Sequence, residues 1–261
     1  MKGRTVLITG AGSGIGAACA WRLAGEGAQL VLVGRRREPL EAVSRDTGGL
    51  VLCGDAASSA DWGRFIPAIV KRFGGVDGVI ANAGGHGLGS ATETSDADWQ
   101  AAMRANLDSA FHTARACLPL LQERRGSLVL MASIAALAAG EGVCGYTTAK
   151  HALIGLTRSL ARDYGPQGVR VNAVCPGWVR TPMADAEMRP LMERHGESLD
   201  EAYARVTAEV PLRRPASPEE IASVCRFLLS EEASIITGAS LVADGGSSIV
   251  DVPTLAFGRS R

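Results

Sequence analysis

Thr5-Val6-Leu7-Ile8-Thr9-Gly10-Ala11-Gly12-Ser13-Gly14-Ile15-Gly16-Ala17-Ala18-Cys19-Ala20 decides how the chain reads. Five β-favouring residues run into a glycine-rich turn and then into an alanine-rich segment of high helix propensity. Glycines at a strand-to-helix turn allow a sharp bend and a close backbone approach, and the first amides of the helix offer unpaired N–H donors at the positive end of its dipole. A nucleotide pyrophosphate is therefore expected on Gly10, Ser13, Gly14, Ile15 and Gly16, with an ordinary βα turn as the alternative. The spacing is informative. Read from Gly10, the G-x-G-x-x-G pattern fails at Ile15, and read from Gly12 it survives only through Ala17. The pattern that fits is T-G-x-x-x-G-x-G on Thr9, Gly10, Gly14 and Gly16.

Composition bounds the rest. The chain has 261 residues, 46% of them hydrophobic, enough for one large α/β core, and a single domain over 1–261 is expected. Basic and acidic residues balance at 27 each, with no basic stripe or long run of one sign, so neither nucleic acid nor an anionic membrane surface is an expected partner. No apolar run approaches a membrane span, and Met1 to Arg4 leads straight into the first strand, so a cytoplasmic protein is expected. Cys19, Cys53, Cys117, Cys144, Cys175 and Cys225 are scattered without a C-x-x-C pair and read as reduced, mostly buried thiols, not metal ligands.

Along the chain, apolar runs alternate with helical segments. Leu30 to Val33 completes a βαβ unit and is followed by Gly34-Arg35-Arg36-Arg37. In a dinucleotide fold the end of this strand selects the cofactor: an acid binds the adenosine ribose hydroxyls, whereas arginine forks suit a 2'-phosphate. Arg35 and Arg36 are the phosphate candidates, a solvated basic turn being the alternative. Leu50 to Cys53 is a third strand, after which Asp55 and Ala56 reach the adenine position. The fourth, Val76 to Ala81, closes on Asn82-Ala83-Gly84, whose small residues leave space for a flat ligand, and Gly85 to Gly89 follows as a loop in which His86 reads as a loop residue.

A helix capped by Ser95 or Asp96 is expected to run unbroken from about Ala97 to Glu123, with the polar Asn106 out of place among apolar neighbours. Ser127 to Ser133 is a fifth strand ending in a hydroxyl. Tyr146-Thr147-Thr148-Ala149-Lys150 opens the next helix, so Tyr146 and Lys150 share a face. At about 4 Å and an effective dielectric near 20, the lysine charge favours phenolate by about 4 kcal/mol, roughly three pKa units, bringing a phenol from about 10 toward 7. An exposed i, i+4 pair is the alternative. Val169 to Cys175 is a sixth strand, followed by a rigid turn, Pro176-Gly177-Trp178-Val179-Arg180-Thr181-Pro182, with donors for an amide or a diphosphate. Residues 182–210 lose strand periodicity and read as short helices forming a lid. Trp178, Met183, Met188 and Met192, with Leu88 and Cys144 opposite, are expected to line an apolar pocket beside Ser133 and Tyr146. Ser217-Pro218-Glu219-Glu220 starts a helix as a capping box, Ser240 to Ala243 is the last strand, and 247–261 reads as a C-terminal tail.

Together, T-G-x-x-x-G-x-G at Thr9 to Gly16, N-A-G at Asn82 to Gly84, Asn106, Ser133, Y-x-x-x-K at Tyr146 and Lys150, and Pro176-Gly177 resemble the short-chain dehydrogenase/reductase family over essentially the whole chain. The resemblance implies an α/β fold, a doubly wound Rossmann-type domain with a seven-stranded parallel sheet and helices on both faces, assembled as a tetramer or dimer. It implies Tyr146 as acid/base, Ser133 as the hydrogen-bonding partner of the substrate oxygen, and Lys150 on the nicotinamide ribose, lowering the Tyr146 pKa. Asn106 would hold a water of the proton relay. Ala81 departs mildly from the Asn that the family often has there. In relatives that prefer NAD an Asp stands in place of Gly34, and relatives that prefer NADP carry Arg where Arg35 stands. The expected function is hydride transfer between NADP(H), with NAD(H) the second choice, and the carbinol or carbonyl carbon of an apolar secondary alcohol or ketone. A 3-oxoacyl-thioester reductase and a catalytically silent nucleotide sensor are the alternatives.

Overall fold

A computed structural model of the chain describes residues 1–257. Seven strands form one parallel sheet: β1 (Thr5–Thr9), β2 (Gln29–Gly34), β3 (Leu50–Cys53), β4 (Gly78–Ala81), β5 (Ser127–Met131), β6 (Arg170–Pro176) and β7 (Ser240–Ala243), in the order β3-β2-β1-β4-β5-β6-β7. Their near-continuous apolar runs suit strands covered on both faces. Alternate residues feed two cores. Leu7, Val31, Val79, Leu128 and Val171 pack against α3 (Ser59–Phe73), α5 (Ser109–Arg124) and α6 (Cys144–Tyr164). Val6, Ile8, Leu32, Ile80 and Val129 pack against α1 (Gly14–Gly25), α2 (Arg37–Thr47) and α9 (Pro218–Leu229). β1 pairs with β2 on one side and β4 on the other, so strand order reverses between β1 and β4 and leaves a crevice at their C-terminal ends. The expected seven-stranded Rossmann-type sheet is thus the observed one.

The helix expected over Ala97 to Glu123 is not continuous. α4 (Asp96–Met103) passes into a π-helical turn, Arg104–Asp108, before α5 begins. The wide turn lies at Asn106, whose Nδ2 donates to the Ala102 carbonyl at 3.0 Å. A side chain that occupies a carbonyl inside the helix is a recognised cause of such a bulge. Residues 182–210 do form short helices, α7 (Pro182–His195) and α8 (Leu199–Val206), which share a separate small core of Ala184, Met188, Ala202 and Tyr203. The hydroxyls of Thr181 and Ser198 cap them, Ser198 in a full capping box with Glu201. Among the described residues no helix is long and apolar enough to cross a membrane, and all six cysteines are free.

Candidate active site

The glycine turn is built by contacts that tolerate no side chain. Gly10 has φ +67°, and a Cβ there would lie 2.9 Å from Asn82 Nδ2; one on Gly16 would lie 2.3 Å from the Gly10 carbonyl oxygen. Gly14, at φ +52°, sits under the Thr181 methyl, 3.1 Å from where its Cβ would be. Ser13 is the N-cap of α1 but makes no capping bond, and the first turn carries no acid. The opening amides of α1 therefore keep their donors for an anion. Thr9, to whose hydroxyl the sequence pattern assigns no partner, joins this turn to the N-A-G segment. Its hydroxyl accepts from the amides of Asn82 and Ala83, both at 3.0 Å, while Asn82 Nδ2 returns to the Thr9 carbonyl at 3.0 Å.

At the end of β2 the side chains of Arg35 and Arg36 are exposed and have no hydrogen-bond or ion-pair partner among the described residues, whereas Arg37 pairs with Glu41 at 3.3 Å. Asp55 is already engaged: Oδ1 accepts from the Ala57 amide at 2.9 Å and Oδ2 from Arg104 Nη2 at 2.7 Å. Burial raises its pKa, but the Ala57 amide and Arg104 outweigh that and hold the carboxyl below its ordinary value. Ala56 is buried beside it. A dinucleotide fits this donor set: free helix-start amides for the diphosphate, and unpaired guanidinium groups at the ribose end. Gly177 abuts Asp244, leaving no room for a side chain, and Val179 is buried where it bridges to Ala216.

Two of the four polar residues singled out in the sequence, Asn106 and Lys150, meet at Gly84, and Lys150 in turn lies over the Tyr146 ring. A Cβ on Gly84 would lie 3.1 Å from Asn106 Oδ1 and 3.8 Å from Lys150 Nζ. Asn106, almost fully buried in the π turn, accepts from the Gly85 amide at 3.2 Å. Ser133 follows β5 and caps a 3-10 turn through the Ala135 amide, 3.1 Å away. Tyr146 lies in the first turn of α6, its amide donating to the Gly87 carbonyl at 3.2 Å. Lys150, one turn later and buried, donates from Nζ to the Met131 carbonyl at 2.8 Å.

One expectation is corrected here. The lysine does not lower the Tyr146 pKa in this structure. Burial raises the phenol above its usual value, the Glu187 charge adds to that, and only the Ser133 hydroxyl pulls it down. The ammonium lies over the ring, 5.4 Å from its centroid, and burial takes Lys150 itself down to about 8. A carbonyl at the end of β5 captures the charge that an i, i+4 spacing alone would have sent to the phenol.

The expected lid lining is corrected at Met188. Met188 is 1% exposed and turns into the core between α7 and α8, with Trp178 and Met192 packed against that core. Met183 is exposed. Cys144 is half-buried at the start of α6, its amide donating to the Gly89 carbonyl at 3.1 Å, and Leu88 is exposed on that loop. The sequence reading missed a link across the mouth: His86 Nδ1 meets Glu187 Oε1 at 2.8 Å, joining the loop after β4 to α7.

A family model described as enoyl-(acyl carrier protein) reductase matches residues 10–248. The chain belongs to the short-chain dehydrogenase/reductase family. It is an oxidoreductase of that family, and the relatives align over nearly its whole length. Protein MoaE of Klebsiella aerogenes is 55% identical, over 97% of this chain and 99% of that protein. A crystal structure of levodione reductase superposes with a TM-score of 0.89 at 35% identity, covering 96% of this short-chain dehydrogenase/reductase and 100% of that chain. An actinorhodin polyketide ketoreductase solved with NADPH gives a TM-score of 0.88 at 33% identity, covering 93% and 96% of the two chains.

Proposed function

We propose that the protein is an NADP(H)-dependent oxidoreductase that interconverts a secondary alcohol and its ketone, with Tyr146 as acid/base. The observation that carries the reading is a run of contacts: Asn106 and Lys150 meet at Gly84, Lys150 lies over the Tyr146 ring, and Ser133 acts on the Tyr146 hydroxyl, while the first amides of α1 have no partner among the described residues. When bound, the nicotinamide accepts or supplies a hydride. The chain's own groups do the rest. In reduction, the Tyr146 hydroxyl delivers a proton to the substrate oxygen as Ser133 donates a hydrogen bond to the same atom; oxidation runs the proton back. Lys150 would hold the nicotinamide ribose. Asn106, anchored at both ends of its amide, orders the water that reloads Tyr146. Gly10, Ser13, Gly14, Ile15 and Gly16 would hold the diphosphate, and Asn82, Ala83, Gly84, Pro176, Gly177, Val179 and Thr181 would line the rest of the cofactor site. Asp55 and Ala56 would serve the adenine.

NADP(H) is favoured over NAD(H) because Gly34 places no acid at the end of β2 and Arg35 and Arg36 are free to fork a 2'-phosphate. One desolvated pair of about 2 kcal/mol gives roughly a thirtyfold preference. The test is NAD(P)H absorbance with a panel of alcohols and ketones, followed by kcat/KM for both cofactors. Arg35→Ala should erase most of the preference. Gly34→Asp, whose Cβ would meet only the Leu40 side chain, at 3.4 Å and beyond, should reverse it. A parent enzyme that favours NAD(H), or a preference untouched by Arg35→Ala, refutes the assignment. A chain that binds NADPH yet oxidises or reduces nothing is a sensor.

A further inference from the structure

The loop that carries His86 is wired into the catalytic residues on either side of it. The Gly85 amide donates to Asn106 Oδ1 at 3.2 Å, and the Gly87 carbonyl accepts from the Tyr146 amide at 3.2 Å. Gly87 approaches so closely that a Cβ on it would lie 2.4 Å from the Tyr146 nitrogen. His86 therefore stands at the rim of the crevice that holds Tyr146. Opposite, α7 turns Ala184 and Met188 into the lid core, which leaves Met183 and Glu187, four residues apart, on a neighbouring face. The 2.8 Å contact between His86 Nδ1 and Glu187 Oε1 closes the distance between lid and loop and fixes where that carboxylate points.

Only one Glu187 oxygen is used. Among the described residues Oε2 has no hydrogen-bond partner, and His86 is the only basic group paired with the side chain. Lys150, the nearest cation of the catalytic set, is buried and committed to the Met131 carbonyl. The mouth thus presents a carboxylate whose second oxygen is held by no side chain or amide among the described residues, close enough for its charge to act on the phenol. Neighbouring apolar surface from Met183 and Leu88 supplies contact area but no donor.

We propose that Glu187, oriented by His86, is a specificity-determining carboxylate that selects alcohols and ketones bearing a second hydrogen-bond donor, a hydroxyl or an ammonium, and disfavours those bearing a carboxylate. The proposal rests on the alcohol/ketone reading above and names the substrate class of the same site. A charge-assisted bond forms with a donor, a methyl leaves the acceptor facing an apolar group, and a carboxylate meets like charge.

The experiment measures kcat/KM of the NADPH-loaded enzyme for four ketones of matched size that carry methyl, hydroxymethyl, aminomethyl or carboxylate at one position. The parent should favour one or both donor-bearing ketones over the methyl one by on the order of tenfold, with the carboxylate slowest. Glu187→Gln should collapse the aminomethyl-to-methyl ratio and raise the carboxylate-to-methyl ratio. Retention of a hydroxymethyl advantage in that variant, whose amide oxygen still accepts, assigns the ligand as a hydroxyl; loss of an aminomethyl advantage assigns it as an ammonium. A parent that treats methyl and donor-bearing ketones alike or prefers the carboxylate overturns the proposal, as does a carboxylate-to-methyl ratio unchanged by Glu187→Gln. If NADPH binds and none of the four ketones reacts, in parallel with a flat alcohol panel, the oxidoreductase reading itself falls and takes this proposal with it.

Discussion

The crevice has two walls held together by different means. One is the frame of β1, β4, β5 and α6, whose side chains are buried in the two cores that flank the sheet. The other is the lid of α7 and α8, whose four buried residues, Ala184, Met188, Ala202 and Tyr203, cluster together and belong to neither sheet core. The frame fixes its polar groups by backbone contacts: Asn106 through Ala102 and Gly85, Lys150 through Met131, Tyr146 through Gly87. The lid has its caps, its small core and the His86–Glu187 contact. Chemistry needs reacting groups placed to within a fraction of an ångström, whereas substrate choice tolerates a wall that moves as a unit. The division of the molecule follows that need, and substitutions on the two sides should separate turnover from substrate affinity.

The largest effect is expected from Tyr146→Phe. The ring still packs and only the proton donor goes, so kcat should fall by about 10²- to 10⁴-fold while the NADPH Kd stays near that of the parent. Near-normal turnover would remove the mechanism. The parent's pH profile checks the same residue by sign. With the phenol held above its usual value by burial, the protonated form needed for ketone reduction persists through neutral pH. Reduction should therefore be flat there and fall only at alkaline pH, while alcohol oxidation, which needs phenolate, should climb as the pH rises.

Met188→Ala comes next and tests the other wall. A buried methionine truncated to alanine costs about 2–5 kcal/mol, but here the cavity opens in the lid core and leaves both sheet cores intact. Substrate KM should rise at least severalfold with little change in the cofactor Kd, and amide exchange should accelerate in 182–206 while β1 and β4 stay protected. Equal loosening of sheet and lid would show that the two walls form one cooperative unit.

The frame was the more legible wall, for a physical reason. Strand runs, the T-G-x-x-x-G-x-G turn and the Ser217 capping box are local patterns, and each is formed by residues close in sequence. Asn106 announced itself as a polar intruder, but helical periodicity could not show that the helix widens around it, because a π turn adds only one residue to the ladder. The 146/150 spacing established a shared face and no more, since the lysine's length let it find a carbonyl on β5. In the lid, methionine composition suggested a substrate lining, whereas helical phase decides direction. Ala184, Met188 and Met192 follow at i, i+4 and i+8 and turn to α8, while Met183 and Glu187 follow the adjoining line. The His86–Glu187 contact joins residues 101 apart and left no local trace.

The smallest effect, and the sharpest on the independence of the lid, is expected from Tyr203→Phe. Tyr203 is 1% exposed, with its hydroxyl donating to Asp185 Oδ1 at 2.8 Å and the Arg180 guanidinium lying 4.8 Å from its ring centroid. Burial first, and the Asp185 carboxylate after it, push the phenol far above its ordinary value, so it stays a neutral donor at any working pH. Phenylalanine keeps the ring, the packing and the stacked guanidinium and deletes one hydrogen bond to a carboxylate, a change of about 1.5–3 kcal/mol at most. Asp185 is only half-buried and recovers part of that from water. The global Tm should therefore barely move, while exchange within α7 and α8 quickens and substrate KM rises about two- to fivefold. Unlike Met188→Ala, this variant creates no cavity, so any loosening must come from the Asp185 bond. Exchange in α7 and α8 equal to that of the parent would place the stability of the lid in its contact with the frame, with His86 and Glu187 as the first residues to test.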